Sequence, residues 1–261
     1  MTAECTKVLE GHTDAVYCLK MISNNRLASG SVDKTIKIWN LNDNTCVKTL
    51  IGHTKRIFSL CFFPDENMLI SGAGEGLIKV WNLDELTCTK TLHGHNGAIT
   101  CLKISNEKKL FSGSWDNTIK IWDMDTFECE NSLHFDGFYT DYLDFFSNNN
   151  LISFHQSRRN VFVKIWNIEE GSCLKTIKMP NAVKIKLLND HLLFVVYEKN
   201  KYKSESEGEN VYEYEIWNIE EQISIKSFMG YKYTGSFYGL ELLPNGNLVF
   251  CTDQLITLIN I

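Results

Sequence analysis

Proline is scarce in this chain, three among 261 residues, so Gly, Asn and Asp must make its reversals of direction. No apolar run approaches the ~18 residues that would span a bilayer. The opening Met1-Thr2-Ala3-Glu4-Cys5 lacks the basic-then-apolar layout of a secretory signal. A soluble cytoplasmic protein is expected, with the nucleus open as a second compartment and no membrane partner. An excess of positive charge is missing too: the formal net charge is −6 and the pI about 5.7. That argues against a broad basic footprint for nucleic acid. Helical spacing of apolar residues is sustained nowhere, yet 44% of the chain is hydrophobic, enough for a substantial core.

The sequence repeats itself. Ile36-Lys37-Ile38-Trp39-Asn40-Leu41 returns as Ile78-Lys79-Val80-Trp81-Asn82-Leu83 and as Ile119-Lys120-Ile121-Trp122-Asp123-Met124. Further copies are Lys164-Ile165-Trp166-Asn167-Ile168 and Glu215-Ile216-Trp217-Asn218-Ile219, and a worn one closes the chain with Ile259 in place of the tryptophan. The mean period from Trp39 to Ile259 is 44 residues, that of a four-stranded blade. Each copy alternates apolar and polar residues in short runs rich in Ile, Val, Thr and aromatics, separated by turn residues such as Asn24-Asn25 and Asn245-Gly246. That is the pattern of half-buried strands.

The nine cysteines follow the same period. Cys5, Cys46, Cys88, Cys129 and Cys173 occupy one position in successive repeats; Cys18, Cys61 and Cys101 occupy a second, and Cys251 stands alone. Without a Cys-x-x-Cys pair they read as buried small hydrophobes rather than metal or redox ligands.

Three repeats carry a further set of residues at matching offsets: Gly11-His12, Gly52-His53 and Gly94-His95; Ser29-Gly30-Ser31, Ser71-Gly72-Ala73 and Ser112-Gly113-Ser114; Trp39-Asn40, Trp81-Asn82 and Trp122-Asp123. In these the chain resembles the WD-repeat (WD40) β-propeller family, strongly to about residue 124 and weakly beyond. The Cys-Val-Lys-Thr-Leu-x-Gly-His type of repeat is most similar to that of F-box/WD-repeat scaffold proteins. No F-box precedes the repeats in this sequence, so recruitment to a ubiquitin ligase is expected to need a partner subunit.

The resemblance implies an all-β fold: a single closed β-propeller over residues 1–261, with six four-stranded blades. In that family the first strand is the outer strand of the last blade. Cys5-Thr6-Lys7-Val8-Leu9 looks like the outer strands at 46–50 and 88–92, so the N-terminal strand is expected to complete the C-terminal blade. A seventh blade would need about 40 more residues, and the longest tryptophan spacing, 166 to 217, is 51.

His12, Ser29 and Asp33 are the ingredients of a nucleophilic triad, but they recur as His53, Ser71 and Glu75 and as His95, Ser112 and Asp116. The resemblance assigns these sets, with Trp39, Trp81 and Trp122, to hydrogen-bonded structural tetrads. Glu75 stands where the family carries Asp, which puts the second tetrad's geometry in question. Residues 137, 182 and 235 have no Gly-His step before them. The later blades are therefore expected to hold by apolar packing more than by tetrads, and to be the looser half. No catalytic residue, cofactor site or metal site is expected: no phosphate-binding Gly-x-x-x-x-Gly-Lys occurs, and His93, His134, His155 and His191 show no ligand spacing.

Function should then lie on loops held by the scaffold. By the resemblance, the face carrying the outer-to-inner and second-to-third strand connections is where peptides dock. Asp14, Lys55, Arg56, Asn96 and Trp115 fall there, as do two insertions, Gln156-Ser157-Arg158-Arg159-Asn160 and the polar stretch 199–210 with its candidate phosphoacceptors Ser204 and Ser206. Tyr139 and Tyr233 lie in aromatic runs that replace the Gly-His step, and Tyr is favoured at interfaces. The expected function is a non-catalytic protein-protein interaction scaffold, a monomeric propeller within a complex, with protein or peptide partners. The alternatives are a nucleic-acid-binding propeller using Lys55, Arg56, Arg158 and Arg159, and a propeller enzyme.

Overall fold

The computed structural model describes residues 8–135, 139–146, 150–156, 161–198, 210–233, 237–242, 248–252 and 256–259, the last strands by their backbone. The expected strand Cys5–Leu9 therefore lies largely outside the described residues. The chain divides into two compact units, residues 1–143 and 144–261.

The described residues form antiparallel meanders. The first sheet is β1 (Val16–Ser23), β2 (Arg26–Ser31), β3 (Thr35–Asn40) and β4 (Thr45–Ile51). The second is β5 (Ile57–Phe63), β6 (Met68–Ala73), β7 (Ile78–Asn82) and β8 (Thr87–Leu92); the third is β9 (Ile99–Ile104), β10 (Lys109–Ser114), β11 (Thr118–Asp123) and β12 (Cys129–His134). β13 (Tyr139–Phe146) leads into β14 (Asn150–Gln156), β15 (Val161–Asn167) and β16 (Ser172–Lys178). The fifth sheet is β17 (Ala182–Leu187), β18 (Leu192–Glu198), β19 (Asn210–Asn218) and β20 (Ile223–Tyr233). A three-stranded sheet follows: β21 (Phe237–Leu242), β22 (Leu248–Thr252) and β23 (Ile256–Ile259).

Burial explains the residue types. The second and third strands are nearly all inside, as in Met68–Ala73, whereas the fourth exposes four of its first residues, as in Thr87–Leu92. Neighbouring sheets of the first unit share cores: Ile36 and Ile38 pack in one cluster with Ile57, Leu69 and Trp81. Ile70, Ile78 and Val80 do so with Ile99, Leu110 and Trp122. Each such side chain contributes about 1.5–3 kcal/mol on burial. The close approach of sheets depends on one glycine per repeat. A Cβ on Gly30 would lie 2.7 Å from both Cys18 Sγ and Ile57 Cγ2, and one on Gly72 would lie 2.5 Å from Ile99 Cγ2.

The repeat cysteines are not all buried, contrary to expectation. Cys61 and Cys101 are buried, but Cys46, Cys88, Cys129 and Cys173 are exposed free thiols. They stand opposite the repeat tryptophans on fourth strands, for example Trp39 opposite Cys46. The fourth strand has no further strand beyond it in its sheet, so periodicity marked the position without marking its exposure. Their thiols donate to the carbonyl two residues on, at 3.4–3.5 Å.

Candidate interaction face and the tetrads that hold it

In the first three sheets one hydrogen-bonded chain ties the turn between second and third strands to the preceding loop. Ser29 Oγ accepts from Trp39 Nε1 at 2.7 Å and lies 2.7 Å from His12 Nε2, and Asp33 accepts from His12 Nδ1 at 2.7 Å. The third sheet repeats this with Trp122, Ser112, His95 and Asp116 at 2.8, 2.7 and 2.8 Å. The carboxylate end holds Nδ1–H, which leaves Nε2 to accept the serine proton.

Glu75 completes the second chain: Trp81 donates to Ser71 at 2.8 Å, His53 Nε2 lies 2.7 Å from Ser71 Oγ, and His53 Nδ1 lies 2.5 Å from Glu75. The extra methylene changes what else the acid does. Asp33 also accepts from the backbone and hydroxyl of Thr35, across its own turn. Glu75 keeps the loop bond that Asp33 makes with the Thr13 N–H at 3.1 Å, accepting from the Thr54 N–H at 3.3 Å, and adds one from the Lys55 N–H at 2.9 Å. It therefore clamps the loop that presents Lys55 and Arg56.

Burial alone would raise the carboxyls of Asp33 and Asp116. Hydrogen bonds from Thr35 and His12, and from His95 and Thr118, outweigh it and hold both well below the usual range. Burial lowers His53 against the opposing pull of Glu75.

The fourth sheet departs from expectation. No Gly-His step precedes it, yet Trp166 Nε1 donates to Ser153 at 2.7 Å and the hydroxyl lies 2.6 Å from His155 Nε2. His155 comes from β14 itself, two residues after the serine. Its ring meets Trp166 edge-on at 6.3 Å, much as His12 meets Trp39 at 6.1 Å. The sheet thus keeps an imidazole on its serine by another route. Burial, helped by the charge of Lys164, pushes His155 down to about 3 from an ordinary 6.5. The unfolded chain then binds a proton that the fold refuses, so this group's contribution is intact above pH 6.5 and is lost progressively as pH falls toward 3. His155→Gln is expected to flatten the fall of the urea midpoint across that window; an unchanged slope would assign the acid sensitivity elsewhere.

In the fifth sheet Val195 stands opposite Glu215, where the earlier sheets pair Ser29 with Lys37 and Ser71 with Lys79. With no serine, Trp217 Nε1 donates to Glu215 at 2.5 Å. In the last sheet the same register pairs Phe250 with Thr257, and Ile259 takes the tryptophan's place, so no indole N–H needs an acceptor.

The tetrads fix the loops that carry the expected binding residues. Asn96 N–H donates to Asp116 at 2.9 Å, Ser31 Oγ donates to the Asp14 carbonyl at 3.1 Å, and Gly74 N–H donates to the Arg56 carbonyl at 2.9 Å. The structure brings Trp115 and Tyr139 together, with ring centroids 6.0 Å apart, in a row that continues to Phe58 at 5.8 Å and from Phe58 to Tyr17 at 5.5 Å. The Arg56 guanidinium lies 5.8 Å over Phe58. Trp115 is 53% exposed, Tyr17 44% and Tyr139 36%.

Tyr17 and Phe58 were not singled out from the sequence. Each is the second residue of its sheet's first strand, after Val16 opposite Ser31 and Ile57 opposite Ala73, and nothing in the sequence sets it apart there from other strand aromatics. Asp14 and Asn96 lie in the loops before β1 and β9, outside the ring contacts. Arg158, Arg159, Ser204 and Ser206 lie outside the described residues, and Tyr233 ends β20 with only its backbone described. Both insertions do fall between second and third strands, after Glu198 and around 157–160. Among the described residues no group of three or more His, Cys, Asp and Glu could hold a metal ion, and no helix is long and apolar enough to cross a membrane.

Comparison with known proteins agrees with this geometry. The model of the "WD domain, G-beta repeat" family matches residues 3–40, 44–82 and 86–123. Over 53 residues the chain is 45% identical to F-box/WD repeat-containing protein 7 of Drosophila melanogaster, 20% of this chain and 4% of that protein. Over 47 residues it is 49% identical to E3 ubiquitin-protein ligase COP1 of Arabidopsis thaliana, 18% of this chain and 7% of that one. The matches thus span only a small fraction of these relatives. Among solved structures, U3-55K matches with a TM-score of 0.79 at 18% identity, covering 97% of this chain and 79% of the other. The WD40 β-propeller domain of Doa1 matches with 0.75 at 20% identity, covering 93% and 77%. The fold is that of WD40 propeller domains.

Proposed function

Residues 3–123 carry three WD40 repeats, and from that premise we propose that the chain is a non-catalytic scaffold binding protein or peptide partners, as a subunit or substrate-recruiting module of a larger complex. The observation that carries this is the row Tyr17–Phe58–Trp115–Tyr139, with three rings substantially exposed beside Arg56. Large aromatics beside arginine are the residues that dominate binding energy at protein interfaces. Catalysis has no comparable support. The His–Ser–acid sets recur in three sheets, and each serine hydroxyl is engaged by a buried tryptophan and a histidine. Similarity to named ubiquitin ligase components favours ligase recruitment as one form of the scaffold role.

A quantitative pull-down from cell extract tests this, comparing the wild type with a folded Lys55→Glu, Arg56→Glu, Trp115→Ala variant. A partner retained by the wild type and lost by the variant is expected. Identical captured sets would sink the assignment of this face.

The same proposal includes a single six-bladed ring closed by the N-terminal strand. β1 exposes Val16, Leu19 and Met21, whereas β5 buries most of its length and β9 exposes none of its residues fully. A cavity of about 610 Å³ lies over the first sheet between Leu9, Val16, Leu19, Leu27 and the ring of Trp39. Among the described residues the last sheet has three strands where the others have four. An exposed apolar face on β1 is what closure would cover. Deleting residues 1–10 is expected to lower Tm by about 5 °C or more; an unchanged melt would rule closure out.

A further inference from the structure

We propose that the aromatic row takes an extended peptide in which one acidic side chain stands beside an aromatic or large aliphatic one; this rests on the scaffold reading above. The cations come first. The Lys55 backbone is held by Glu75 at 2.9 Å and the Arg56 carbonyl by Gly74 N–H at 2.9 Å. Neither side chain forms an ion pair among the described residues. Elsewhere Lys108 and Lys109 each hold two carboxylates at 2.6–3.0 Å. The nearby acid, Glu75, is committed to His53 and to backbone N–H groups. Two cations are thus fixed at their backbone with no counter-charge of their own.

The shape beside them is as specific. Gly74 occupies the turn position held by Val32 in the first sheet and Trp115 in the third, each N–H donating to the matching carbonyl at 2.9 Å. A Cβ there would lie 3.2 Å from Lys55 Cβ, 3.5 Å from Phe58 Cε2 and 3.6 Å from Arg56 Cγ. Glycine therefore lets the Phe58 ring and the aliphatic stems of Lys55 and Arg56 close directly on the turn, where a side chain would push them apart. Phe58 then passes the surface on to Trp115 and Tyr139. The three ring-to-ring steps, 5.5, 5.8 and 6.0 Å, match roughly five residues of extended chain at ~3.3 Å each.

Charge selects a peptide with one central acid over a polyanion. Asp14 precedes β1 at the Tyr17 end, and Asp141 follows Tyr139 closely enough to raise its phenol, behind the larger effect of burial. A strand with a phosphate at every step would meet both acids. A single carboxylate beside Lys55 and Arg56 meets neither.

The test uses the full chain and three fluorescein-labelled peptides read by fluorescence anisotropy: Gly-Ser-Phe-Glu-Leu-Ser-Gly, its twin with Lys for Glu, and a third with Ala for Phe and Leu. The wild type is expected to bind the first about 10-fold or more tighter than either other peptide. Arg56→Glu should reverse the Glu-over-Lys preference, and Trp115→Ala should weaken the Glu and Lys peptides alike. Unchanged melting of both variants shows that they fold. Absence of binding, equal affinity for the Glu and Lys peptides, or a preference that survives Arg56→Glu overturns the proposal. If the pull-down partner is still lost on changing Lys55, Arg56 and Trp115, the scaffold reading stands and only this ligand class fails.

Discussion

Replacing Ser112 with alanine is expected to destabilise the protein by about 2–4 kcal/mol. The hydroxyl is fully buried, accepts from Trp122 Nε1 at 2.8 Å and lies 2.7 Å from His95 Nε2. Alanine preserves the volume almost unchanged, so cavity formation contributes little. The loss comes from an indole N–H and a ring nitrogen left without partners inside the protein, at about 1–3 kcal/mol each. Denaturant unfolding of the variant measures it. Trp122→Phe made in the same chain separates the terms: the double variant should lose less than the two single changes added together, because the indole N–H that Ser112 satisfied is gone. A loss below about 1 kcal/mol for Ser112→Ala would mean that water replaces the hydroxyl.

Gly72→Val is expected to act through shape instead. Its new Cβ would sit 2.5 Å from Ile99 Cγ2 and 3.0 Å from Ile99 Cβ, so either the valine or β9 must move. Overpacking of this kind costs about 3 kcal/mol, a fall in Tm of roughly 6–12 °C at this chain length. Adding Ile99→Ala should return part of it by vacating the contact, and failure to do so would place the strain elsewhere. The fourth and fifth sheets show what abandoning the glycine entails. At the same register they carry Phe154 opposite Val163 and Val196 opposite Tyr214, all four well inside. The next strand there must seat against a side chain rather than against bare backbone.

What could be read in the sequence follows from where the information lies. The strands and turns of the first three sheets are written in residues at fixed offsets, so Trp39, Ser29 and His12 announce one another. His155 escapes the repeat pattern because its partner serine is two residues away on the same strand, not across a loop, so no upstream Gly-His step marks it. The thiols misled for a different reason: a repeat position is defined by register, and register is silent about whether anything covers the strand. The aromatic row was half legible. Trp115 stood out as a large residue in a turn, and Tyr139 as part of an aromatic run. Tyr17 and Phe58 passed for ordinary strand residues, since only the packing of neighbouring sheets decides which alternate side chain stays outside.

The exchange in the fifth sheet bears on how such a chain can change over time. Val195 and Glu215 face each other where serine and lysine face each other elsewhere, and the carboxylate now serves the Trp217 indole. Replacing Glu215 alone with lysine would leave that indole with no acceptor, although lysine is what the first four repeats carry there. Changing Val195 alone to serine would supply a hydroxyl that can donate to that carboxylate while the indole keeps its acceptor. The serine–lysine pair can therefore be introduced one residue at a time only if Val195 changes first, so the order of the two steps is fixed.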